Sequence, residues 1–263
     1  MLDLQGKTAV VTGAGRGLGR RVALGLANRG AKVALVARDR DALLDALEEI
    51  RRAGGAGVAL AADVSQIEAV DALAARVQAE VGPPQILINA AGVFGPIQHV
   101  VESEPRRWIE TLAVNTVGPY LTCRAFAPAM IARGWGRIVN FSSAASLHPP
   151  GPLNSAYGTS KVALNQFTRH LAAELAGTGV TANVIHPGEV KTQMWATIRR
   201  ESQATGPAGE GYRDWAEHVA QTGGDDPQKT LDLILELLDD KSALVNGQFL
   251  WIAGGLQTPL PSW

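Results

Sequence analysis

The sequence predicts an α/β fold, one doubly wound parallel sheet flanked by helices, on three observations. Short apolar runs rich in β-branched residues recur along the chain. Helical patterns separate them. A glycine-rich turn, Gly13-Ala14-Gly15-Arg16-Gly17-Leu18-Gly19, joins the first run directly to the first helical pattern. Alternation of strand and helix favours a parallel sheet with crossover helices. No Pro/Gly/Ser-rich linker and no block of charge interrupts it, so residues 1–263 read as a single domain.

Lys7 to Thr12 (KTAVVT) is the first strand, and a helix follows from about Leu18 to Asn28, ended by Gly30. Strand, glycine turn and helix in succession suit a pyrophosphate: glycines permit close backbone approach, and the helix start offers free N–H groups and the positive dipole end. The same turn with nothing bound is the plainer alternative. Lys32 to Ala37 is the second strand. Ala37 stands where an acid would bind the ribose hydroxyls of NAD, and Arg38 follows at once. Arg38 and Arg16 suit a 2′-phosphate. Asp39 lies ~20 residues past the last glycine, where an acid is expected, but one step beyond Arg38 it is placed to cap the helix beginning near Arg40. NADP is favoured and NAD stays open.

Asp41 to Ala53 is an amphipathic helix, Gly57 to Ala62 the third strand, and Asp63-Val64 its C-terminal end, where a carboxylate either faces the ligand crevice or caps the next helix. That helix is Ile67 to Val81, closed by Gly82-Pro83-Pro84. Gln85 to Asn89 is the fourth strand and runs into Asn89-Ala90-Ala91-Gly92, small enough for close approach of a ligand. Pro105 to Arg133 is one long helical segment containing Asn115, with a kink expected at Gly118-Pro119. Arg137 to Phe141, the fifth strand, ends in Ser142-Ser143; the proline-rich stretch Leu147 to Pro152 then leads to a helix over Ser155 to Ala176. Val180 to His186 is the sixth strand, ending in Pro187-Gly188-Glu189-Val190-Lys191-Thr192. Residues 193–224, rich in glycine and punctuated by Trp195, Tyr212 and Trp215, read as the least regular part, and 189–225 as a segment covering the substrate. Pro227 to Leu238 is a helix and Gln248 to Ile252 a last strand.

Composition narrows the function. A net charge of −1 offers no electrostatic reason for nucleic acid or an anionic membrane as partner. No apolar run approaches a membrane span, and the first residues carry no signal-peptide pattern. The lone Cys123 excludes an internal disulfide and fits a reducing, cytoplasmic setting. The scattered histidines make no metal-ligand spacing, so no metal is expected.

Tyr157 and Lys161 are four apart, on one face of their helix. A phenol titrates near ~10; an ammonium one turn away favours the phenolate and brings proton transfer toward neutral pH. By itself the pair also describes an ordinary exposed helix face.

The ordered motifs settle more than any one of them. TGAGRGLG at Thr12 to Gly19, Asp63-Val64, NAAG at Asn89 to Gly92, Asn115, Ser143 at a strand end, YGTSK at Tyr157 to Lys161 and PGEVKT at Pro187 to Thr192 make the chain resemble the short-chain dehydrogenase/reductases, in their single-domain NAD(P)-dependent branch. The resemblance spans nearly the whole chain and implies a Rossmann-type sheet. NAAG departs from the commoner double-Asn form, and the loop between Ser143 and Tyr157 is one residue longer than usual.

By resemblance, Tyr157 is the proton donor in reduction and acceptor in oxidation. Ser143, not Ser142, holds the substrate oxygen. Lys161 bonds the nicotinamide ribose and lowers the Tyr157 pKa, and Asn115 anchors a proton-relaying water through its backbone. Gly13, Gly17 and Gly19 form the cofactor turn, with Gly15, Arg16 and Leu18 beside them. Arg38, Asp63, Val64, Asn89, Ala90 and Gly92 are cofactor contacts on the adenosine side; Pro187, Gly188, Val190 and Thr192 complete the set. Family analogy offers His148, Leu153, Glu189, Met194 and Trp195 as substrate contacts. A small-molecule carbonyl or alcohol is the implied partner, and a homotetramer or homodimer, packed through 105–133 and 155–176, the implied assembly. Two other classes are weighed: a cofactor-binding sensor without turnover, against which the intact Ser143, Tyr157 and Lys161 speak, and a cofactor-retaining epimerase or dehydratase, whose usual second domain this length leaves little room for.

Overall fold

A computed structural model describes residues 2–148 and 150–257. Among them, seven strands form one parallel sheet in the order β3-β2-β1-β4-β5-β6-β7. The strands are β1 (Thr8–Thr12), β2 (Lys32–Ala37), β3 (Ala56–Ala61), β4 (Ile86–Asn89), β5 (Gly136–Phe141), β6 (Val180–His186) and β7 (Phe249–Trp251). Helices α1 (Gly17–Ala27), α2 (Arg40–Arg52), α3 (Ile67–Glu80), α4 (Pro105–Leu112), α5 (Gly118–Arg133), α6 (Ser155–Glu174), α7 (Gln193–Ser202), α8 (Glu210–Thr222) and α9 (Pro227–Leu238) complete it.

Period-two alternation along each strand feeds two cores. Ala9 and Val11 of β1 face the layer containing α1, α2 and α9, whereas Val10 faces the layer of α3, α5 and α6. Both faces are therefore covered, which is why the strands read as continuous apolar runs rather than alternating ones. Cys123 is a buried free thiol in the second core, pushed up to about 12 by burial, with an opposing hydrogen bond from Asn89. No helix among the described residues is long and apolar enough to cross a membrane.

Strand order reverses between β1 and β4, so the connections leaving these two strands part to opposite faces and open a crevice at their C-terminal ends. Parallel register fixes what meets there: Thr12 pairs with Asn89, and Asn89 with Asn140. Thr12 Oγ1 accepts from the Ala91 N–H at 3.1 Å, which turns the chain after β4 toward the glycine loop.

Two expectations change. The distortion in the long helical segment is a π-helical turn over Ala113–Val117, one turn earlier than the kink expected at Gly118-Pro119. Gly118 N–H donates to Ala113 O, five residues back, and Pro119, in the first turn of α5, has no N–H to give the Asn115 carbonyl four residues back. Residues 193–224 are not irregular: α7 and α8 occupy most of that stretch, and their glycines lie in the 3₁₀ turn Gly206–Gly209, in the first turn of α8, and at its left-handed C-cap, Gly223. A bridge between Val190 and Gly224, with Glu189 N–H donating to Asp225 Oδ2 at 2.8 Å, closes the base of this excursion.

Candidate active site

The crevice is a cleft of about 680 Å³ running from the glycine loop to Tyr157. Gly13 begins the loop with φ +68°, and a Cβ there would lie 2.8 Å from Ala90 O; one on Gly19 would strike Gly13 O. Backbone packs on backbone at both positions, and Ala14 N–H donates to Val36 O at 3.1 Å, so the loop is held flat against β2 and β4. α1 starts with no side-chain cap and no acid in its first turn, whereas α2, α4 and α9 are capped by Asp39, Glu104 and Asp226. An uncapped helix start opening on a cleft suits an anion, and the space is of the size that holds a dinucleotide.

Gly15, Arg16, Gly17, Leu18, Arg38, Asp63, Val64, Ala90, Gly92, Pro187, Thr192 and Met194 also line the cleft, as do Tyr157 and Lys161. The arginines are each met by an acid. Arg16 pairs with Asp39 at 2.6 Å, and Arg38 with Glu110 of α4 at 3.5 Å. Asp39 does cap α2, accepting from Ala42 N–H at 3.1 Å. Asp63 holds the turn before α3, its Oδ1 accepting from both the N–H and the hydroxyl of Ser65 at 3.0 and 2.7 Å.

Asn89 is turned away from the cleft. Its side chain is buried and donates to Asn140 Oδ1 at 2.9 Å while accepting from Thr122 Oγ1 at 2.8 Å, tying β4 to β5 and α5. Gly188 (φ +83°) packs against Ile252 and Asp225, and Glu189 and Val190 form the base of the 189–225 excursion instead of a cleft wall. Trp195 is buried, its Nε1–H donating to Ala216 O at 3.0 Å; it pins α7 to α8 with Lys191 and Arg199 over its ring. His148 is exposed and leans toward Trp251, with ring centroids 5.8 Å apart.

At the inner end, β5 and α6 bring Ser143, Tyr157 and Lys161 together. Tyr157 is 8% and Lys161 3% exposed. Lys161 Nζ donates to Phe141 O at 2.7 Å and sits 5.5 Å from the Tyr157 ring centroid. Burial pushes Lys161 down to about 7. It pushes Tyr157 up to about 12, opposed by a hydrogen bond with Ser143. The expected depression of the phenol by Lys161 is thus not seen in this arrangement: loss of water sets the direction, and the hydrogen bond with Ser143 is what opposes it. Ser143 Oγ also accepts from Ala145 N–H at 3.2 Å, fixing the turn after β5, while Ser142, although buried, is the one of the two serines that lines the cleft.

Asn115 is wholly buried. Its side chain accepts from Val93 N–H at 2.9 Å and donates to Val93 O at 2.8 Å and to Ser160 Oγ at 3.0 Å. Both backbone groups of Val93 are clamped, and the next residue, Phe94, stacks on Tyr157 with centroids 4.6 Å apart. Sequence reasoning missed Phe94, Ser160 and Glu110. Nothing in the local pattern marks them, since each acts through a contact across distant segments.

Comparison with known proteins agrees with this architecture. Residues 7–203 match the family described as short chain dehydrogenase. A short chain dehydrogenase of Pseudocercospora fijiensis is 41% identical over 197 residues, 74% of this chain and 63% of that protein. The galactitol 2-dehydrogenase (L-tagatose-forming) of Cereibacter sphaeroides is 36% identical over 96% of this chain and 95% of its own. Among solved structures, an actinorhodin polyketide ketoreductase variant with NADPH superposes with a TM-score of 0.86 at 30% identity, covering 97% of this chain and 99% of that one. L-Sorbose reductase from Gluconobacter frateurii, complexed with NADPH and L-sorbose, gives 0.84 at 28% identity over 97% and 98%. With its parallel sheet, its uncapped glycine-loop helix and this extent of similarity, the chain belongs to the short-chain dehydrogenase/reductase family and is an oxidoreductase of that family.

Proposed function

We propose that the protein interconverts a carbonyl compound and a secondary alcohol, with NADP preferred over NAD. The observation that carries this reading is the approach of the Ser143 hydroxyl to that of Tyr157, with Lys161 one turn on, where Tyr157 and Lys161 line the inner end of the cleft. The nicotinamide, when bound, supplies or takes up the hydride. The glycine loop would hold its pyrophosphate, Asp63, Val64, Ala90 and Gly92 its adenosine half, and Lys161, Pro187 and Thr192 its nicotinamide half. Arg16 and Arg38 would take the 2′-phosphate by exchanging Asp39 and Glu110 for it, which supports NADP because a dianion is a stronger partner than one exposed carboxylate.

Ser143 and Tyr157 both donate to the substrate oxygen, on which negative charge grows during reduction. Tyr157 then releases its proton to that oxygen, and Lys161 stabilises the phenolate left behind. The Asn115 carbonyl, denied its helical donor by Pro119, is placed to hold a water that returns the proton. In oxidation the same groups work in reverse. Residues 189–225 act as the lid of a single 263-residue domain. The protein is cytoplasmic, in keeping with its one buried thiol, and assembles as a homotetramer or homodimer.

The test is NADPH and NADH oxidation over a panel of aldehydes, ketones, quinones and keto-esters, with Tyr157→Phe beside wild type. The variant is expected to lose about 10²–10⁴-fold in kcat while binding NADPH as before. A variant that retains wild-type turnover, or a clear preference for NADH, contradicts the reading at the residue concerned.

A further inference from the structure

We infer that the substrate carries an apolar ring beside its reacting carbonyl or carbinol carbon, and that polyols are rejected. This rests on the proposed oxidoreductase reading and deepens it. Phe94 and Met194 face the cleft next to Tyr157. Behind them lies a separate apolar cluster, centred on Ile97, Leu153 and Ile198, to which Tyr212 and Trp215 also belong. Phe94 stacks on the Tyr157 ring at an interplanar angle of 29°, and Tyr212 meets Phe94 edge-on with centroids 5.9 Å apart. A flat ring on the substrate meets the apolar surface of Phe94 and Met194 here, next to the Tyr157 ring.

The wall is built rather than incidental. Leu153 is the one non-glycine residue among those described with positive φ (+68°), a conformation that persists only where packing imposes it. Leu153 O accepts from Gln98 N–H at 3.3 Å, and Tyr212 Oη–H donates to Pro152 O at 3.2 Å, so the loop before α6, the segment after Phe94 and α8 are laced together.

Polar groups at this end are already engaged. Arg107 pairs with Glu201 at 3.1 Å, Thr111 Oγ1 donates to Arg107 O at 2.7 Å and Lys161 to Phe141 O. Gln193 and Thr197 of α7 remain for one further polar group of the substrate. An open-chain polyol would bury hydroxyls against Phe94 and Met194 with nothing to receive them.

The experiment measures kcat/KM for 2-tetralone and L-sorbose in wild type, Phe94→Ala and Phe94→Leu, and the binding of 2-tetralol and galactitol to the enzyme with oxidised cofactor, by saturation-transfer NMR. Wild type should favour 2-tetralone by about 100-fold or more. Phe94→Ala should lower that rate about tenfold, leave L-sorbose nearly unchanged and keep NADPH affinity. Phe94→Leu preserves apolar volume without the ring and should fall between, so a folding defect in the alanine variant does not blur the result. Equal or better turnover of L-sorbose overturns the inference, as does faster 2-tetralone reduction by Phe94→Ala, which would make Phe94 a plug. If neither ketone turns over, the reaction reading fails on these substrates and binding decides the pocket: a 2-tetralol signal that Phe94→Ala abolishes, without one from galactitol, upholds it, and equal signals or none reject it.

Discussion

Burial acts in opposite senses on Tyr157 and Lys161, because it penalises the charged form of each. The phenol is held neutral, near 12, and the ammonium near 7. A neutral Tyr157 is the form that donates in reduction, whereas oxidation needs the phenolate. We therefore expect log kcat/KM for alcohol oxidation to climb with a slope of about 1 below pH 7 and to level off above it, where Lys161 loses the charge that stabilises the phenolate, with no such rise for ketone reduction; parallel profiles would contradict it. Lys161 makes a second prediction, for stability. Its folded pKa lies below the unfolded value of ~10.4, so between about 7 and that value the unfolded chain binds the extra proton, and stability rises with pH. Comparing wild type with Lys161→Met in urea at pH 7 and 9.5 should show wild type gaining on the order of 3 kcal/mol relative to the variant.

Elements turn these residues into a site. The π turn over Ala113–Val117 places Asn115 so that its side chain clamps Val93, which in turn sets Phe94 on Tyr157. Pro119 withholds the N–H that would engage the Asn115 carbonyl in an α-helical bond. Pro119→Ala restores that donor. It should leave the melting temperature unchanged or slightly raised, yet lower kcat about tenfold by occupying the carbonyl. Undiminished kcat would remove Asn115's backbone from the proton path. Asn115→Ala differs: two part-buried backbone groups of Val93 lose their partner at ~1–3 kcal/mol each, so it should destabilise by roughly 2–6 kcal/mol in thermal or urea unfolding.

At the scale of the whole molecule, α4 packs on α6, the π turn touches both and leads into α5, and Ile109, Val117, Tyr120 and Val162 are exposed along these segments. Such residues on adjoining helices favour a self-complementary contact between copies. Wild type should run as the proposed homotetramer or homodimer in light scattering, and Val162→Glu as a smaller species with its circular dichroism retained; a monomeric wild type, or an unchanged mass in the variant, would contradict this face as an interface.

The alternation of apolar runs with helical patterns determined the layers and nearly every element boundary, because periodicity and strand–helix order are local properties of the chain. The glycine turn and the Tyr157–Lys161 pair were legible for the same reason, since each belongs to a contiguous motif whose spacing carries its geometry, whereas Ser143 rested on family resemblance alone. Tertiary structure alone decided the rest. It turned Asn89 inward to Asn140 and Trp195 inward to Ala216 O, set Glu110 against Arg38, folded 193–222 into two helices, and raised the Tyr157 pKa where its spacing from Lys161 suggested the reverse. Burial and partners contributed by distant segments govern each of these, and no local pattern encodes how far a side chain will be from water once the sheet has brought those segments together.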